Sequence, residues 1–258
     1  MLRPRITPCL LIHEGGLVKT QGFANPKYVG DPINAVRIFN EKEADELMVL
    51  DIDASVRGVE PNYALIRNLA NECRMPLCYG GGVHAVAQVE RIIQLGVEKV
   101  ALSSAAIRNP QLITDAATRV GSQSVVVVID VKRTGLLRRP EIFLANGSMA
   151  TGIAPEEFVQ ELALRGAGEV VVNAIDRDGM MQGYDLELMA LIRKSTSLPI
   201  TALGGAGSLA DLGALIQKFG IIGAGAGSLF VFKGKYRAVL INYPSRSEKD
   251  DLIRSAGL

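Results

Sequence analysis

One carboxylate at the end of an apolar run is the strongest candidate for chemistry in this chain. Residues 125–129 are four valines and an isoleucine, and Asp130 follows them directly. Five consecutive β-branched side chains predict a strand that is buried on both faces of a parallel sheet. Parallel α/β proteins place their reacting groups at the carboxyl ends of such strands. Asp130 is therefore a candidate general acid or base.

Two glycine-rich strand ends, each followed by a small turn on the next strand, indicate a pair of phosphate sites. Uncovered N–H groups, hydroxyls and the start of a short helix together attract anions. Two such sites on opposite sides of one barrel mouth predict a ligand with a phosphate at each end. The residues are Gly80, Gly81 and Gly82 with Ser103 and Ser104, and Gly204 and Gly205 with Gly227 and Ser228.

A second signal lies at the opposite ends of the strands. Four predicted strands begin with, or just after, a charged residue: Arg5, Glu46, Lys99 and Glu169. Two bases and two acids at one level predict an ion-pair ring that could close or gate a passage into a barrel. The alternative is that they are solvated strand termini, since surface ion pairs contribute about 0–1 kcal/mol.

The elements that must position these residues alternate regularly. Strand patterns and helix patterns follow each other eight times, which predicts a closed parallel (βα)8 barrel, with a doubly wound open sheet as the alternative. Residues 13–30 are expected to form a long loop, and residues 131–152 a loop or a hairpin. The predicted strands are 5–12, 46–53, 76–79, 99–103, 124–130, 169–175, 199–203 and 221–225.

The sequence also repeats itself at half its length. Residues 75–87 match 198–210, and residues 44–53 match 167–176, in the same order along the chain. A repeated four-strand unit predicts one barrel domain, residues 1–258, built from half-barrels of about 1–122 and 123–258.

The repeat leaves one position of an expected acid–base pair without an ionisable group. It places the counterpart of Asp130 at Leu11, which can neither give nor accept a proton. Asp53 or Asp176 could take over part of the missing role. The other carboxylates at predicted strand ends are Asp51 and Asp178.

Composition excludes several classes of function. A formal net charge of +1, with the charges interspersed, gives no reason to expect nucleic-acid or membrane partners. Cys9, Cys73 and Cys78 lack metal-ligand spacing, so we expect reduced structural thiols, no metal and no cofactor. The chain lacks a signal-peptide pattern and an apolar run of membrane-spanning length, which favours a cytoplasmic protein.

With these residues in view, the chain resembles the cyclase subunit of imidazole glycerol phosphate synthase over essentially its whole length. The most specific runs are Ile-Asp-Arg-Asp-Gly at 175–179 and Gly-Tyr-Asp at 183–185. The resemblance implies a (βα)8 barrel that docks a glutaminase on its N-terminal face. Ammonia would pass through the barrel and attack a bis-phosphorylated ribulosyl aminoimidazole, giving imidazole glycerol phosphate and an aminoimidazole carboxamide ribotide.

The resemblance also assigns roles to individual positions. Asp130 matches one of the family's two catalytic aspartates, and Leu11 stands at the position of the other. Lys19, on a first loop expected to be mobile, matches a substrate-contacting lysine. The remaining matches are to one phosphate site (Gly82, Ser103, Ser104), a second phosphate site (Asp178, Gly179, Gly205, Gly227, Ser228) and an ammonia gate (Arg5, Glu46, Lys99, Glu169).

Other positions depart from the family pattern. Leu203 replaces a serine, Asp53 and Asn173 replace threonines, and Ser103 stands where asparagine is usual. Loss of a positioned acid–base group costs about 10²–10⁴-fold in rate. Three hypotheses follow: a cyclase with slow turnover, a non-cyclising subunit that docks a glutaminase and conducts ammonia for amidation of a surface-polysaccharide sugar, and a phosphosugar isomerase on the same fold.

Overall fold

The computed structural model describes residues 3–258. Its strands are β1 (Arg5–His13), β2 (Gly16–Gln21), β3 (Ala24–Gly30), β4 (Leu47–Asp51), β5 (Leu77–Gly80), β6 (Lys99–Leu102), β7 (Val125–Thr134), β8 (Arg139–Leu144), β9 (Met149–Ala150), β10 (Glu169–Ala174), β11 (Ile200–Leu203), β12 (Gly223–Ala226), β13 (Phe232–Lys233) and β14 (Ala238–Val239).

The helices are α1 (Pro32–Glu41), α2 (Ala54–Arg57), α3 (Tyr63–Glu72), α4 (Val86–Gln94), α5 (Ser104–Arg108), α6 (Gln111–Val120), α7 (Pro155–Leu164), α8 (Leu186–Ser195), α9 (Leu209–Phe219), α10 (Ser228–Val231) and α11 (Arg246–Ser255). Helix α1 begins as its sequence predicts: Asp31 Oδ1 accepts the N–H of Asn34 at 2.9 Å, and Pro32 follows the cap. Across residues 3–258, no helix combines the length and apolarity that a membrane crossing requires.

Eight strands pair in parallel and close on themselves, so the predicted (βα)8 barrel is confirmed and the open sheet is excluded. Around the barrel the order is β1, β4, β5, β6, β7, β10, β11 and β12, and β12 pairs back with β1. The half-barrel boundary near residue 122 stays a prediction.

Alternation along the strands divides the apolar side chains into two sets. Outward-facing residues such as Ile6, Leu10 and Ile12 of β1 join the core between the barrel and its helices. Inward-facing residues fill the barrel itself and form a separate cluster, which contains Cys9, Met48, Cys78, Ala101, Val126, Val128, Val171 and Leu203. The side chains at odd-numbered positions of β1 therefore point into the barrel interior.

The segment expected to be a long loop, residues 13–30, is instead a β-hairpin. Strand β2 pairs antiparallel with β1, and β3 pairs with β2. Both connections are two-residue turns with positive φ at each residue: Glu14 and Gly15, then Gly22 and Phe23. Such turns match the right-handed twist of the flanking strands. Residues 131–152 also contain a hairpin, β7 with β8, as one of the two expectations stated.

Candidate active site

The carboxyl ends of the barrel strands surround one cavity of about 1260 Å³, including its open mouth. Most of the predicted catalytic and phosphate-site residues line it. They are Lys19, Ser103, Ser104, Asp130, Asp178, Gly179, Gly205, Gly227 and Ser228. Leu11 lines the same cavity. The strand-end rule therefore brings together residues that are far apart in sequence.

Asp130 lies on β7 and faces the cavity. Loss of hydration raises the pKa of Asp130 to about 7; a hydrogen bond from Asn173 opposes this, and the charge of Asp178 adds to it. A carboxyl group with a pKa near neutrality can serve as a general acid or a general base at physiological pH.

Asn173 is a hydrogen-bond partner of Asp130 in the barrel, and its role in the site was not predicted from the sequence. The two residues are directly opposite each other on β10 and β7. Asn173 Nδ2 donates to Asp130 Oδ1 at 3.0 Å. The signal that could have found Asn173 is its distance from Glu169, since a residue four positions after a ring charge reaches the cavity end of the same strand face.

The side of the cavity at Leu11 is apolar. Leu11 and Leu50 are half-buried and pack against the interior cluster, which includes the buried Leu203. All three leucines line the cavity. Such a surface offers no group for proton transfer and reduces the hydration of ionised groups beside it.

The two carboxylates expected to compensate for Leu11 are turned away, so that expectation is wrong. Asp53 accepts the N–H of Glu14 at 2.8 Å and contacts His13 Nδ1 at 2.7 Å. Asp176 accepts the N–H of Arg133 at 2.9 Å. Neither residue lines the cavity, because local backbone donors hold both side chains at the outer rim.

Asp51 and Asp178 do line the cavity, but both have structural partners. Asp51 Oδ1 accepts two backbone N–H groups, from Asp53 and Ala54, and so holds the turn that leads into α2. Asp178 Oδ2 accepts from Thr20 Oγ1 at 2.6 Å and from the N–H of Phe23 at 3.2 Å. Asp178 therefore fixes the β2–β3 hairpin over the cavity.

Lys19 lies on strand β2 rather than on a loop, which corrects the expectation for this residue. Its side chain is buried, and Nζ donates to the carbonyl oxygen of Cys9. Burial lowers the pKa of Lys19, and the charge of Asp178 acts in the opposite direction. A Cβ at position 227 would lie 2.7 Å from Lys19 Nζ. The absence of a side chain at Gly227 therefore leaves room for Nζ to reach the carbonyl oxygen of Cys9.

The first predicted phosphate site is placed only in part. Ser103 and Ser104 line the cavity at the start of α5. Gly82, in contrast, does not line it, and its N–H donates to Ser55 Oγ at 3.1 Å. Ser55 itself lines the cavity and was not predicted; it follows the short helix start at Asp53, which gave no strand-end signal.

The residues of the second predicted phosphate site lie together at the cavity. Gly205, Gly227 and Ser228 line the cavity, and α10 begins at Ser228. Gly179 has a φ of +66°, and a Cβ there would lie 1.9 Å from the carbonyl oxygen of Thr20. Only glycine therefore fits where this wall meets the β2–β3 hairpin.

At the opposite end of the barrel, the four predicted charged residues meet in a closed ring. Arg5 donates to Glu46 at 3.0 Å and to Glu169 at 2.8 Å, and Lys99 donates to the same two carboxylates at 2.6 and 2.9 Å. Thr201 Oγ1 adds a hydrogen bond to Glu169 at 2.6 Å. We call these four charged side chains the ion-pair ring.

The charged side chains of the ring form ion pairs that are partly removed from water. Burial disfavours the charged forms, but the opposite charges outweigh it. They raise the pKa of Lys99 and lower that of Glu169. Lys99 and Glu169 are therefore stabilised in their charged forms. The ring lies at the N-terminal end of the barrel, opposite the cavity.

The barrel interior lies between the ion-pair ring and the cavity. Its residues are mostly small or apolar, and Thr7 lies on the same face of β1 as Arg5 and Cys9. Thr7 Oγ1 is buried and has no hydrogen-bond partner among residues 3–258. An unpaired buried hydroxyl is unusual, since buried polar atoms are normally hydrogen-bonded.

The sequence profile of a family described as "Histidine biosynthesis protein" matches residues 5–237. The chain belongs to this family. It is 59% identical over 253 residues to a Leptospira interrogans protein provisionally named imidazole glycerol phosphate synthase subunit HisF, covering 98% of this chain and all of the relative. A Pseudomonas aeruginosa protein provisionally named subunit hisF2 is 50% identical over 250 residues, covering 97% of this chain and 99% of the relative.

Within the family, a further relative carries the subunit name without qualification. It is imidazole glycerol phosphate synthase subunit HisF of Hyphomonas neptunium, 40% identical over 232 residues, with 90% of this chain and 91% of the relative covered. The resemblance stated from the sequence is thereby confirmed: the chain is a HisF-like member of the histidine biosynthesis protein family.

Proposed function

We propose that the chain is the ammonia-using subunit of a glutamine amidotransferase complex. The observation that carries the proposal is the closed ion-pair ring at one end of a barrel whose other end opens at Asp130. Ammonia released by a glutaminase docked on the N-terminal face enters at the ring. It crosses the interior past Thr7 and reaches the cavity.

In the cavity, the ammonia attacks a bis-phosphorylated ribulosyl aminoimidazole; ring closure, with cleavage of a C–N bond of the substrate and release of water, gives imidazole glycerol phosphate and aminoimidazole carboxamide ribotide. Helices α5 and α10 begin at two walls of the cavity, which favours a substrate with a phosphate at each end. Asp130 moves the proton, since its pKa of about 7 suits either direction of transfer. Lys19 lines the site from β2 and contacts the substrate.

Leu11 makes this turnover slow. The cavity offers one carboxylate without a structural backbone partner, Asp130, where the reaction is expected to use two groups on opposite strands. A single missing acid–base group lowers the rate by about 10²–10⁴-fold. The test is ring closure by the purified chain with ammonium salts in place of glutaminase. Product formed at a rate within tenfold of an aspartate-bearing relative would overturn the slow-turnover proposal.

A second candidate function is favoured by the apolar wall of Leu11, Leu50 and Leu203. In it, the chain docks a glutaminase and conducts ammonia, but leaves amidation to another protein that acts on a surface-polysaccharide sugar. The chain would then stimulate glutamine hydrolysis by its glutaminase while forming no imidazole product. Measuring both activities in the same complex separates the two functions. Absence of any stimulation of glutamine hydrolysis would exclude both.

A further inference from the structure

Two hairpins beside the cavity mouth present large apolar side chains to solvent. Leu136 and Leu137, at the tip of the β7–β8 hairpin, are 99% and 72% exposed. Tyr236, at the tip of the β13–β14 hairpin, is 90% exposed. Isolated apolar residues are common on protein surfaces, whereas several on one surface with polar surroundings mark an interaction site.

Contacts join the two hairpins into one surface through residues 176–180, which follow β10 and line the cavity at Gly179. On one side, the guanidinium group of Arg138 lies 3.9 Å from the carboxylate of Asp176. On the other side, Arg237 donates to the carbonyl oxygen of Gly179 at 3.1 Å. The exposed tips therefore belong to the edge of the cavity mouth.

Strand β3 extends this surface, because Lys27 Nζ donates to the carbonyl oxygen of Arg237 at 3.3 Å and the neighbouring Tyr28 is exposed. The mouth rim, as we call this surface, holds seven basic residues and two acidic ones, whereas the whole chain has 28 and 27. One of the two acids, Asp178, turns inward to Thr20. The rim is therefore strongly positive although the chain is nearly neutral. It comprises residues 27–28, 135–139, 176–180 and 233–237.

The combination of charge and exposed apolar tips defines the occupant. Positive charge alone would suit a phosphorylated small molecule, but such a molecule enters the cavity and leaves Leu136, Leu137 and Tyr236 in water. Lipid surfaces are met by tryptophan and phenylalanine as well as leucine, and the mouth rim has neither of those aromatic residues. Tyrosine, arginine and methionine, which it does contain, are enriched at protein interfaces. These features favour a protein whose facing surface is acidic.

We propose that the mouth rim is the docking surface for another protein with an acidic face, which covers the cavity mouth and takes up the ammonia there. The rim cations pair with its carboxylates, and Leu136, Leu137 and Tyr236 insert between its apolar side chains. That the docked protein is the ammonia acceptor rests on the second candidate function; the docking surface itself does not. The complex with the glutaminase alone lacks this protein, so the mouth rim is not engaged there.

Photo-cross-linking in the cells that naturally produce the chain identifies the occupant. Photoreactive benzoylphenylalanine replaces Leu137 or Tyr236 and, as a control, Leu164, which is exposed at the end of α7 and lies outside the mouth rim. We expect positions 137 and 236 to capture one and the same protein, distinct from the glutaminase, and position 164 not to capture it. Capture of lipid, of the glutaminase or of a second copy of the chain, or of no protein common to both positions, would overturn the proposal.

Binding of the purified captured protein then tests the chemistry of the surface. It is titrated calorimetrically into the whole chain with the glutaminase bound. Arg139→Glu combined with Lys233→Glu should weaken binding by about tenfold or more, since both cations would face carboxylates as like charges. Added salt should weaken binding to the unaltered chain more than to this variant, because screening acts on the attraction. The control Arg67→Glu reverses an exposed charge on α3, away from the mouth rim, and should bind as the unaltered chain does.

The apolar tips have their own test, because Leu137→Ser combined with Tyr236→Ser keeps every rim charge. This variant should also lose about tenfold or more in affinity, as expected for central contacts of an interface. Equal affinities in all four proteins would show that the captured protein docks elsewhere and would refute the surface. Docking without stimulation of glutamine hydrolysis by the unaltered chain would count against the conduit function alone. Stimulation without a shared captured protein would count against the mouth rim alone.

Discussion

The carboxyl group of Asp130 has lost its hydration. Its surroundings favour the neutral form, because burial and the charge of Asp178 together outweigh the hydrogen bond from Asn173. A carboxyl whose folded pKa lies near 7 and whose unfolded pKa lies near 3.9 binds its proton more tightly in the folded state. The folded protein therefore loses stability as pH rises through this interval.

Asp130→Asn should reverse that loss. The amide keeps the shape of the side chain but cannot ionise, so the variant is expected to be more stable than the unaltered chain above about pH 7, by on the order of a few kcal/mol. The difference should vanish as pH falls toward about 4. Urea unfolding at several pH values measures it. A difference that is independent of pH would show that Asp130 is not desolvated as described.

Leu11→Asp should restore part of a two-carboxylate site. Leu11 is half-buried at the cavity wall, so a new carboxylate there meets apolar neighbours and should cost about 1–3 kcal/mol of stability. With ammonium salts, ring closure should rise by about 10²-fold, the lower part of the range for one positioned acid–base group. Product formation is followed under single-turnover conditions.

Leu50→Asp is the matched control for this prediction, because Leu50 lies beside Leu11 on the same apolar wall. It should lose similar stability without gaining rate. If the two variants gain equally, the added charge matters rather than its position. If neither gains, the conduit function is favoured.

At the scale of elements, the strands could be predicted because a strand buried on both faces is recognisable in the sequence as a run of β-branched residues. Strand β7 begins at Val125, one residue from its predicted start. The β2–β3 hairpin could not be predicted in the same way. Its turns place Glu14 and Phe23 at positive φ, where neither residue type is expected, and most of β3 is exposed. The hairpin exists because β1 and Asp178 hold it, which is tertiary information.

The site shows the same division between local and tertiary information. Asp130, Ser104 and Ser228 could be located because each lies at a strand end, and strand ends meet at one mouth. The hydrogen bond of Asn173 and the orientation of Gly82 could not be predicted, since they depend on which atom finds which partner across the barrel. Strand-end position fixes the neighbourhood of a residue but not its hydrogen bonds.

The ion-pair ring is an element-scale device, since four strands contribute one charge each. Lys99→Ala leaves Glu46 and Glu169 with Arg5 as the one remaining ring cation. Leaving carboxylates partly unpaired in a desolvated setting should cost about 1–3 kcal/mol of stability. Ammonia should also escape at the altered ring, so that the complex with the glutaminase forms more glutamate for each product molecule.

The ratio of glutamate to product in the glutaminase complex measures this leak. Lys235→Ala removes an exposed lysine from the β13–β14 turn, away from the N-terminal face, and serves as the control. A ratio for Lys99→Ala equal to that of the control would mean that the ring is structural and does not regulate passage.

At the scale of the whole molecule, the proposed function requires a route along the barrel axis rather than through bulk solvent. Val171 lies on the inner face of β10, between the ring residue Glu169 and the cavity residue Asn173. Val172, its neighbour, faces the helices instead. Val171→Phe should obstruct the axis, while Val172→Phe adds the same bulk outside it, and each overpacking should cost about 1–3 kcal/mol.

The isotopic source of product nitrogen tests the route in the glutaminase complex, supplied with unlabelled glutamine and ¹⁵N-ammonium together. The unaltered chain should place mainly unlabelled nitrogen in the product, because ammonia moves inside the barrel. In Val171→Phe the labelled share should rise several-fold, since the cavity mouth stays open to bulk ammonium, whereas Val172→Phe should behave as the unaltered chain. Mass spectrometry reads this ratio even when turnover is slow. Equal labelling in all three proteins would mean that nitrogen reaches the cavity from solvent and that the barrel carries none.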